Sequence, residues 1–402
     1  DRALHSWLDH KSWRKFWNFL QTHDINYYLV AGFGKLIQKF KKSDLNDFDL
    51  YAIGQSHIDA AWLWTKLSTI RRVIITFQQA IEHFEKYPFF TYSQTAPAYY
   101  DWVRRLRPDL FEKIKEYEKE GRWEIVGGMW LEPDANLPSG ESLVRQRVQG
   151  QKFYLEHFNK FSKIAVLEDT FGMNSQLPQI LKKSGAEAFW TTKITWNEYS
   201  EFPFANFYWR ALDGSQIFVH MFKFNFPVLL DNKMYKRTGR LVKNEGLEFD
   251  YDNTVEEIES QREELIPALP LATFYGFAYG GMGPLQEAID LMVNVARARK
   301  LKFVNTEEYF EILRKKLGNN IPIWDDELYL ELHRGCYTSV ANIKRLNRFG
   351  EVNLRNCEIL LTLFSMLFKN YEYPYAKMDK LWRELLFNQF HDILPGSSIQ
   401  KI

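Results

Sequence analysis

Short apolar runs alternate with longer amphipathic stretches through the middle of this chain, and that alternation restricts the folds open to it. Each run has the length of a buried strand, and each following stretch has apolar residues spaced for one face of a helix. Strands and helices that alternate in this way form a largely parallel sheet with helices packed on its faces. Three successive pairs of run and stretch are residues 51–54 and 69–87, 123–126 and 140–157, and 164–167 and 176–185.

The two ends of the chain have a different pattern. Residues 1–45 are helix-like and amphipathic, and residues 341–369 and 378–390 form two long helix-like runs. Between the ends, residues 217–220 are a further strand candidate and residues 255–265 a further helical stretch. The chain has 402 residues, which exceeds the size at which a single core usually stops growing. We therefore expect an α/β domain with helical parts at both ends.

A histidine and an aspartate, His57 and Asp59, lie at the end of the first apolar run. In an extended segment, residues two apart project to the same side. Both side chains would then leave the carboxyl end of a sheet, where open α/β folds and α/β barrels build their active sites. An imidazole and a carboxylate are half of a tetrahedral zinc site. The alternative is structural, with Asp59 as the N-cap of a helix-like stretch over residues 60–70.

Two more segments place ligand-type residues at the ends of predicted elements. Asp169 follows the third apolar run, and His391 follows a helix-like stretch that Pro395 and Gly396 bring to a close. Histidine is scarce in this chain, with nine residues in all. Two histidines and two aspartates at element ends form a plausible ligand set, which favours a metal site over the structural alternative.

Five segments of the chain, taken in order, carry a family resemblance. They are GQSHIDAAW at residues 54–62, GGMWLEPDANLPSGE at 127–141, EDTFG at 168–172, LYLELHRGCYTS at 328–339 and QFHDILPGS at 389–397. Together they resemble the retaining α-mannosidases of glycoside hydrolase family 38. One such segment alone is modest support, whereas five in the same order are highly specific.

The resemblance implies a metal centre and its chemistry. One zinc ion would be held by His57, Asp59, Asp169 and His391, with Co²⁺ or Cd²⁺ as substitutes. Asp169 would also be the nucleophile of a retaining reaction, whose two carboxyl groups lie roughly 5–5.5 Å apart. Asp392 would be the neighbouring acceptor that fixes the tautomer of a metal-bound imidazole.

The general acid is less defined, because the chain departs from the family pattern there. In the family it is an aspartate in a variable loop, and the first carboxylate of the corresponding segment, residues 223–231, is Asp231. Glu331 and Glu132 are alternatives, and Asp231 is at least as readily interpreted as a solvated loop residue. A second departure is at residues 278–279, where Ala-Tyr replaces the Gly-Asp or Gly-Asn of relatives and puts the substrate preference in question.

Further polar and aromatic residues in the matched segments are candidates for substrate binding. Trp62 could stack on a mannose ring, although a core tryptophan fits the pattern equally well. Glu132 and Asp134 could accept hydrogen bonds from sugar hydroxyls, or cap the turn that follows them. Arg334 and Tyr337 could orient the nucleophile or bind substrate.

The resemblance also implies a domain plan. An N-terminal helical segment over residues 1–45 would precede an incomplete parallel (β/α) barrel-like catalytic domain over residues 46–320. Residues 321–402 would begin a three-helix bundle, and the family's C-terminal β region would be absent. We therefore expect a fragment whose bundle helices expose apolar faces, which favours association and allows a homo-oligomer.

Composition limits which classes of partner and which cellular compartment fit this chain. The net charge of +1 argues against nucleic acid, and no stretch approaches the ~20 apolar residues of a membrane span. Two cysteines, Cys336 and Cys357, cannot form a disulfide framework, which favours a reducing, cytoplasmic compartment.

The sequence is consistent with three functions. The leading hypothesis is a zinc-dependent α-mannosidase that removes terminal mannose from glycans or oligosaccharides. The second is a metal-dependent carbohydrate deacetylase on a similar fold, which would activate a water molecule and leave the glycosidic bond intact. The third is an inactive sugar-binding fragment.

Overall fold

The structure is a computed structural model that describes residues 50–200, 202–222, 271–276, 283–298, 301–319 and 321–402. Several predictions therefore lie outside the described residues. They are the N-terminal helical segment over residues 1–45, the helical stretch over residues 255–265, the candidate acid Asp231 and the Ala-Tyr pair at residues 278–279.

Ten short strands form the framework of the described part. Their bounds are β1 Leu50–Gly54, β2 Tyr92–Gln94, β3 Trp123–Ile125, β4 Ile164–Val166, β5 Ala188–Thr191, β6 Asn206–Arg210, β7 Gln216–Met221, β8 Leu271–Tyr275, β9 Leu301–Phe303 and β10 Ile323–Trp324. The four strands predicted from the sequence are present as β1, β3, β4 and β7. The other strands were not predicted, because most of them are too short to show an alternation of apolar and polar residues.

Nine α-helices alternate with these strands or follow them. Their bounds are α1 Lys66–Lys86, α2 Pro97–Leu106, α3 Pro108–Lys119, α4 Gly140–Phe158, α5 Leu177–Lys183, α6 Gln286–Ala298, α7 Thr306–Leu317, α8 Ala341–Leu367 and α9 Tyr375–Asn388, all within the described residues. The predicted helices after the first, second and third runs are α1, α4 and α5, and the two long C-terminal runs are α8 and α9. Helices α2 and α3 were missed, although each begins with a proline, which is favoured at the first helical position.

One predicted helix begins later than expected. The stretch over residues 60–70 is a loop as far as Thr65, and helix α1 begins at Lys66. Asp59 therefore does not cap this helix. Its backbone carbonyl instead accepts hydrogen bonds from Thr69 Oγ1 at 2.9 Å and from Trp64 Nε1 at 3.3 Å. These side-chain bonds tie the loop down and compete locally with helix formation.

The strands pair in three sheets whose orders are β9-β1-β8, β2-β3 and β10-β6-β7-β5-β4. Every pairing is parallel except that of β6 with β7, which form an antiparallel hairpin. A bridge between Gln55 and Ser93 links β1 to β2, and the Gly127 N–H donates to the Ile164 carbonyl at 2.8 Å, linking β3 to β4. These links place the strands in one continuous series, β8-β1-β2-β3-β4-β5-β7. Among the described residues, no strand pairing joins the two ends of this series into a closed barrel.

Strand β1 shows how these sheets are buried on both faces. Tyr51 and Ile53 belong to one apolar core, which they share with residues of β4, β5, β7 and β8, whereas Ala52 belongs to the core under helices α1 to α4. Successive side chains of a strand point to opposite faces, so one short strand contributes to both cores. This burial holds the carboxyl end of β1 in place, where His57 and Asp59 follow.

The C-terminal helices pack on α4 through one charged cluster. Arg145 of α4 donates two hydrogen bonds to Glu358 of α8, at 2.8 and 2.7 Å, and Trp382 of α9 donates to the same carboxylate at 2.8 Å. The opposite side of α8 is exposed and apolar, as expected for a bundle helix, with residues including Phe349, Leu360, Leu363 and Phe364. None of the described helices combines the length and the apolar composition needed to cross a bilayer.

Candidate metal centre

Four side chains from distant parts of the chain converge at one point. His57 and Asp59 follow β1, Asp169 follows β4 and His391 follows α9. Each offers one ligand atom, and these four atoms lie within 4.8 Å of one another. The carboxyl ends of parallel strands meet at one edge of the fold, which brings the β1 and β4 residues together. The structure thus groups the four residues that the sequence singled out.

The distances define which atoms face the centre. Asp59 Oδ1 lies 3.0 Å from His57 Nε2 and 3.6 Å from His391 Nε2, and Asp169 Oδ2 lies 3.7 Å from the same His391 nitrogen. The two imidazole rings stack with their centroids 5.5 Å apart. His57, Asp59 and His391 are buried, whereas the Asp169 side chain is 25% exposed. Asp169 is therefore the member of the group that a substrate can reach.

The charges around the centre favour a cation. Burial alone would lower the pKa of His391, but the carboxylates of Glu132, Asp59, Asp392 and Asp169 raise it to about 9. His57 behaves alike, since burial lowers its pKa and nearby carboxylates raise it well above the ordinary value. Positive charge shared among these groups is thus stabilised, whether it arrives as a proton or as a metal ion.

The donor set fits a divalent metal ion. His391 Nδ1 donates to the Glu132 carbonyl at 3.2 Å, which leaves Nε2 as the ring nitrogen that faces the centre. This buried Nε2 atom has no hydrogen-bond partner among the described residues. Two imidazole nitrogens and two carboxylate oxygens are ligands that zinc accepts, and the exposed side of Asp169 leaves room for substrate.

Asp392 does not have the role predicted for it. Its Oδ1 atom accepts a hydrogen bond from Ser397 Oγ at 2.5 Å, and its Oδ2 atom lies 3.9 Å from His391 Nε2. The acceptor that fixes the His391 tautomer is the backbone carbonyl of Glu132. Burial raises the pKa of Asp392 to about 7, with Asp59 and Asp169 adding to the rise and His391 opposing it.

Lys193 is a site residue that the sequence analysis missed. Its Nζ atom donates to Asp169 Oδ1 at 2.6 Å, and the buried ammonium lies 3.9 Å from the centroid of the Trp196 ring. Burial would raise the pKa of Asp169, but the positive charges of Lys193, His57 and His391 together outweigh burial and hold this pKa below its usual value. Its place in the sequence could have indicated this role, because Lys193 follows β5, and β5 pairs with the strand that precedes Asp169.

The carboxylate of Glu132 is engaged by other groups of the protein. Oε1 accepts hydrogen bonds from the Asp169 N–H at 2.6 Å and from Thr170 Oγ1 at 3.3 Å, and Oε2 lies 3.4 Å from His57 Nδ1. These contacts occupy both carboxylate oxygens, and binding of sugar hydroxyls by Glu132 stays a prediction. The same contacts argue against its being the general acid.

Glu331 is also unsuited to be the general acid. Burial alone would raise its pKa, but hydrogen bonds from Ser200 Oγ and from the backbone N–H groups of residues 198–200 outweigh burial and lower the pKa to about 2. A general acid needs a pKa near the working pH. Glu331 instead caps the loop that contains Tyr199 and Ser200.

The other predicted substrate-binding residues occupy different environments. Asp134 Oδ1 accepts from the N–H groups of Asn136 and Leu137 at 2.8 and 2.7 Å, so Asp134 caps the turn, which was the alternative prediction. Tyr337 accepts a hydrogen bond from the Asn136 amide at 2.8 Å. The exposed Arg334 donates to the Glu331 carbonyl at 2.9 Å.

Trp62 lies beside the centre on the loop that follows Asp59. It is half-buried and meets Trp64 edge to face, with the ring centroids 5.6 Å apart. Its backbone carbonyl accepts from the Ile399 N–H at 2.9 Å, so the segment after His391 holds this loop. An accessible ring at this place remains available for stacking on a sugar.

Known proteins share both parts of this chain. Residues 47–327 match the model of the glycosyl hydrolases family 38 N-terminal domain, and residues 331–402 match that of the alpha mannosidase middle domain. Alpha-mannosidase G of Dictyostelium discoideum is 34% identical over 92% of this chain and 33% of its own length. Alpha-mannosidase 2C1 of Homo sapiens is 35% identical over 88% of this chain and 32% of its own length. The chain thus spans about a third of the length of these curated relatives.

A solved structure shares the fold. The crystal structure of an alpha-mannosidase from Enterococcus faecalis V583 superposes with a TM-score of 0.69, covering 88% of this chain and 40% of that one. The sequence identity in this comparison is 18%, so the similarity is evidence of common architecture alone.

Proposed function

Because this chain belongs to glycosyl hydrolase family 38, we propose that it is an α-mannosidase that removes terminal α-linked mannose from glycans or oligosaccharides. The observation that carries the proposal is the convergence of His57, Asp59, Asp169 and His391 within 4.8 Å. A carboxylate at the exposed side of a metal-ligand group suits a reaction in which the substrate meets both together.

The four converging residues would hold one zinc ion, with Co²⁺ or Cd²⁺ as substitutes. Zinc bound there would supply a Lewis acid and a template for the hydroxyl groups of the sugar. The chain itself prepares the ligands. Hydrogen bonding of His391 Nδ1 to the Glu132 carbonyl orients the Nε2 atom, and Lys193 holds Asp169 as the anion that a ligand or nucleophile must be.

Asp169 would act as the nucleophile of a double displacement. Its carboxylate attacks the anomeric carbon while the bond to the leaving oxygen breaks, and a general acid gives that oxygen a proton. Water then displaces the carboxylate from the mannosyl ester, with the same acid group now accepting a proton. Lys193 donates to Oδ1 of Asp169, and this hydrogen bond limits the orientations that the carboxylate can take.

Asp231 stays our candidate for the general acid. Both alternatives weighed from the sequence are less suitable, since Glu132 is engaged behind the centre and Glu331 has a lowered pKa. Trp62 is our candidate for stacking on the sugar ring. Arg334 and Tyr337 stay weaker candidates for substrate contact, because their described hydrogen bonds are to other protein groups.

The proposal extends to architecture and compartment. We assign residues 46–320 to a barrel-like catalytic domain and residues 321–402 to a helical bundle domain. The unbroken neighbour order from β8 to β7 supports the barrel-like arrangement, and the packing of α8 and α9 supports the bundle. The two cysteines are free thiols, which supports a reducing, cytoplasmic compartment.

A metal-dependence assay tests the proposed function. Hydrolysis of a chromogenic α-mannoside should be lost after chelation, return on addition of Zn²⁺, and be absent in Asp169→Ala with or without metal. The first anomer released should be the α form, as the retaining mechanism requires. Release of acetate from an acetylated sugar without release of mannose would instead establish the deacetylase alternative, and binding without turnover would establish the inactive fragment.

A further inference from the structure

One residue outside the ligand group touches three of its four members. Glu132 meets His57 and Asp169 through its side chain and His391 through its main chain. We propose that Glu132 is the positioning residue that fixes the relative geometry of the metal ligands. This inference rests on the metal centre proposed above and gives Glu132 a role different from sugar binding and from acid catalysis.

The side chain of Glu132 joins the segments after β1 and β4. Its Oε1 atom accepts from the Asp169 N–H at 2.6 Å, so it anchors the backbone that carries the nucleophile. Its Oε2 atom lies 3.4 Å from His57 Nδ1 and points the proton of this imidazole away from the centre. On the other side of the ring, His57 Nε2 hydrogen-bonds to Asp59 Oδ1 at 3.0 Å, and a bound metal ion would take the place of the proton in that contact. Metal-bound histidines commonly donate their second nitrogen to a carboxylate in this way.

The main chain of the same segment joins the C-terminal part of the site. The Glu132 carbonyl accepts from both the backbone N–H and the Nδ1 atom of His391, each at 3.2 Å. Two residues later, the Asp134 N–H donates to the Gln389 carbonyl at 2.9 Å. The segment 132–134 therefore lies between the Asp169 loop and the end of α9 and sets the distance between them.

The contacts require a carboxylate of this length. A glutamine has one acceptor oxygen and one amide NH₂ group, so that it must place donors against either the Asp169 N–H or the Nδ1–H of His57. An aspartate is shorter by one methylene and cannot reach both partners from the same backbone position. Glu168 Oε2 lies 3.7 Å from His57 Nδ1, further than Glu132, and contacts that histidine alone among the four ligands.

Metal affinity is the quantity that distinguishes positioning from general stability. Zn²⁺ binding to the purified protein would be measured by competition with a chromophoric chelator, and Co²⁺ would report ligand geometry through its visible absorption. We expect Glu132→Gln to weaken Zn²⁺ binding by about 10–100-fold, as loss of a supporting partner commonly does. At saturating Co²⁺ its visible bands should shift or change in intensity.

The matched control is Glu118→Gln. Glu118 is also a buried glutamate, but it pairs with Lys160 rather than with a proposed metal ligand, so Glu118→Gln should leave Zn²⁺ affinity and the Co²⁺ spectrum unchanged. Wild-type affinity and an unchanged Co²⁺ spectrum in Glu132→Gln would overturn the positioning role while leaving the metal centre intact. Failure of the wild-type protein to bind Zn²⁺ or Co²⁺ would overturn both. Circular dichroism of the metal-free variants checks that each is folded. If Glu132→Gln does not fold, Glu132→Asp is tested in its place.

Discussion

At the scale of single residues, the proposed nucleophile is held by a lysine and faces a histidine. Lys193 donates to Oδ1 of Asp169, and His391 Nε2 lies 3.7 Å from Oδ2. The buried lysine is itself packed on the rings of Trp196 and Phe171, so it has little freedom to move away. The hydrogen bond from Lys193 restrains the Asp169 carboxylate, which limits the orientations from which it can attack.

Removal of the lysine should therefore affect turnover more than substrate binding. We expect Lys193→Met to lower kcat on an aryl α-mannoside strongly with little change in KM, since a misplacement of about 1 Å can cost on the order of 100-fold. Lys193→Arg, which keeps a cation and a donor, should retain more of the rate. A raised KM with unchanged kcat in Lys193→Met would show that the lysine contacts the substrate instead.

Each proposed ligand can be tested by its contribution to metal content. His57→Ala, Asp59→Ala and His391→Ala should each lower bound zinc well below one per chain, because a four-ligand site that loses one ligand loses much of its affinity. Elemental analysis after dialysis gives the stoichiometry. Unchanged zinc content in all three variants would mean that the metal binds elsewhere.

At the scale of elements, helix α4 lies unusually close to the segment after β3. A Cβ atom added at Gly150 would meet the backbone of Gly128 and lie 2.8 Å from the carbonyl carbon of Met129. The glycine permits this approach, and the buried Arg147 one turn earlier donates to the Gly127 carbonyl at 2.5 Å. The helix and the segment leading to Glu132 are thus packed as one unit.

A methyl group at Gly150 should push helix α4 away from the segment after β3. We expect Gly150→Ala to lower the free energy of unfolding by about 1–3 kcal/mol, the usual cost of overpacking. Gly140, at the start of the same helix, has open space around it, so Gly140→Ala should be neutral or slightly stabilising. Urea denaturation of both variants gives the comparison, and equal effects would show that the close approach is not what Gly150 provides.

At the scale of the whole molecule, the C-terminal helices complete the site that the strands begin. His391 follows α9, and α8 and α9 are attached to α4 through Glu358, which receives Arg145 and Trp382. Large apolar side chains of α8, among them Phe349, Leu360 and Phe364, are exposed. Association through these side chains stays a prediction from the sequence.

The charged cluster should stabilise this attachment measurably. Glu358→Gln weakens the paired hydrogen bonds from Arg145, and we expect it to cost about 1.5–3 kcal/mol of unfolding free energy. Glu141 contacts the same arginine at 2.8 Å but is 47% exposed, so Glu141→Gln should cost less than about 1 kcal/mol. Thermal unfolding of the two variants measures the difference. A similar loss in both would mean that the arginine, rather than the helix contact, is responsible.

Much of the site could be predicted from local pattern. The strands β1 and β4 and the residues that follow them were identified because apolar runs, ligand-type side chains and turn signals are neighbours in the chain. Lys193 and the positioning role of Glu132 could not be predicted in this way, because their partners are distant from them in the sequence. Both depend on donors and acceptors that folding brings from other strands.

The sequence by itself determined the alternation of elements, the four candidate ligands and the family. These follow from the period of apolar residues and from residue types in fixed order, which are properties of the chain alone. Only the tertiary structure decided that helix α1 starts at Lys66 and that Asp134 caps a turn. It also decided that Glu132 faces three ligands. The physical reason is that a polar group takes whichever partner the packed elements bring within about 3 Å, and its burial makes that partner obligatory.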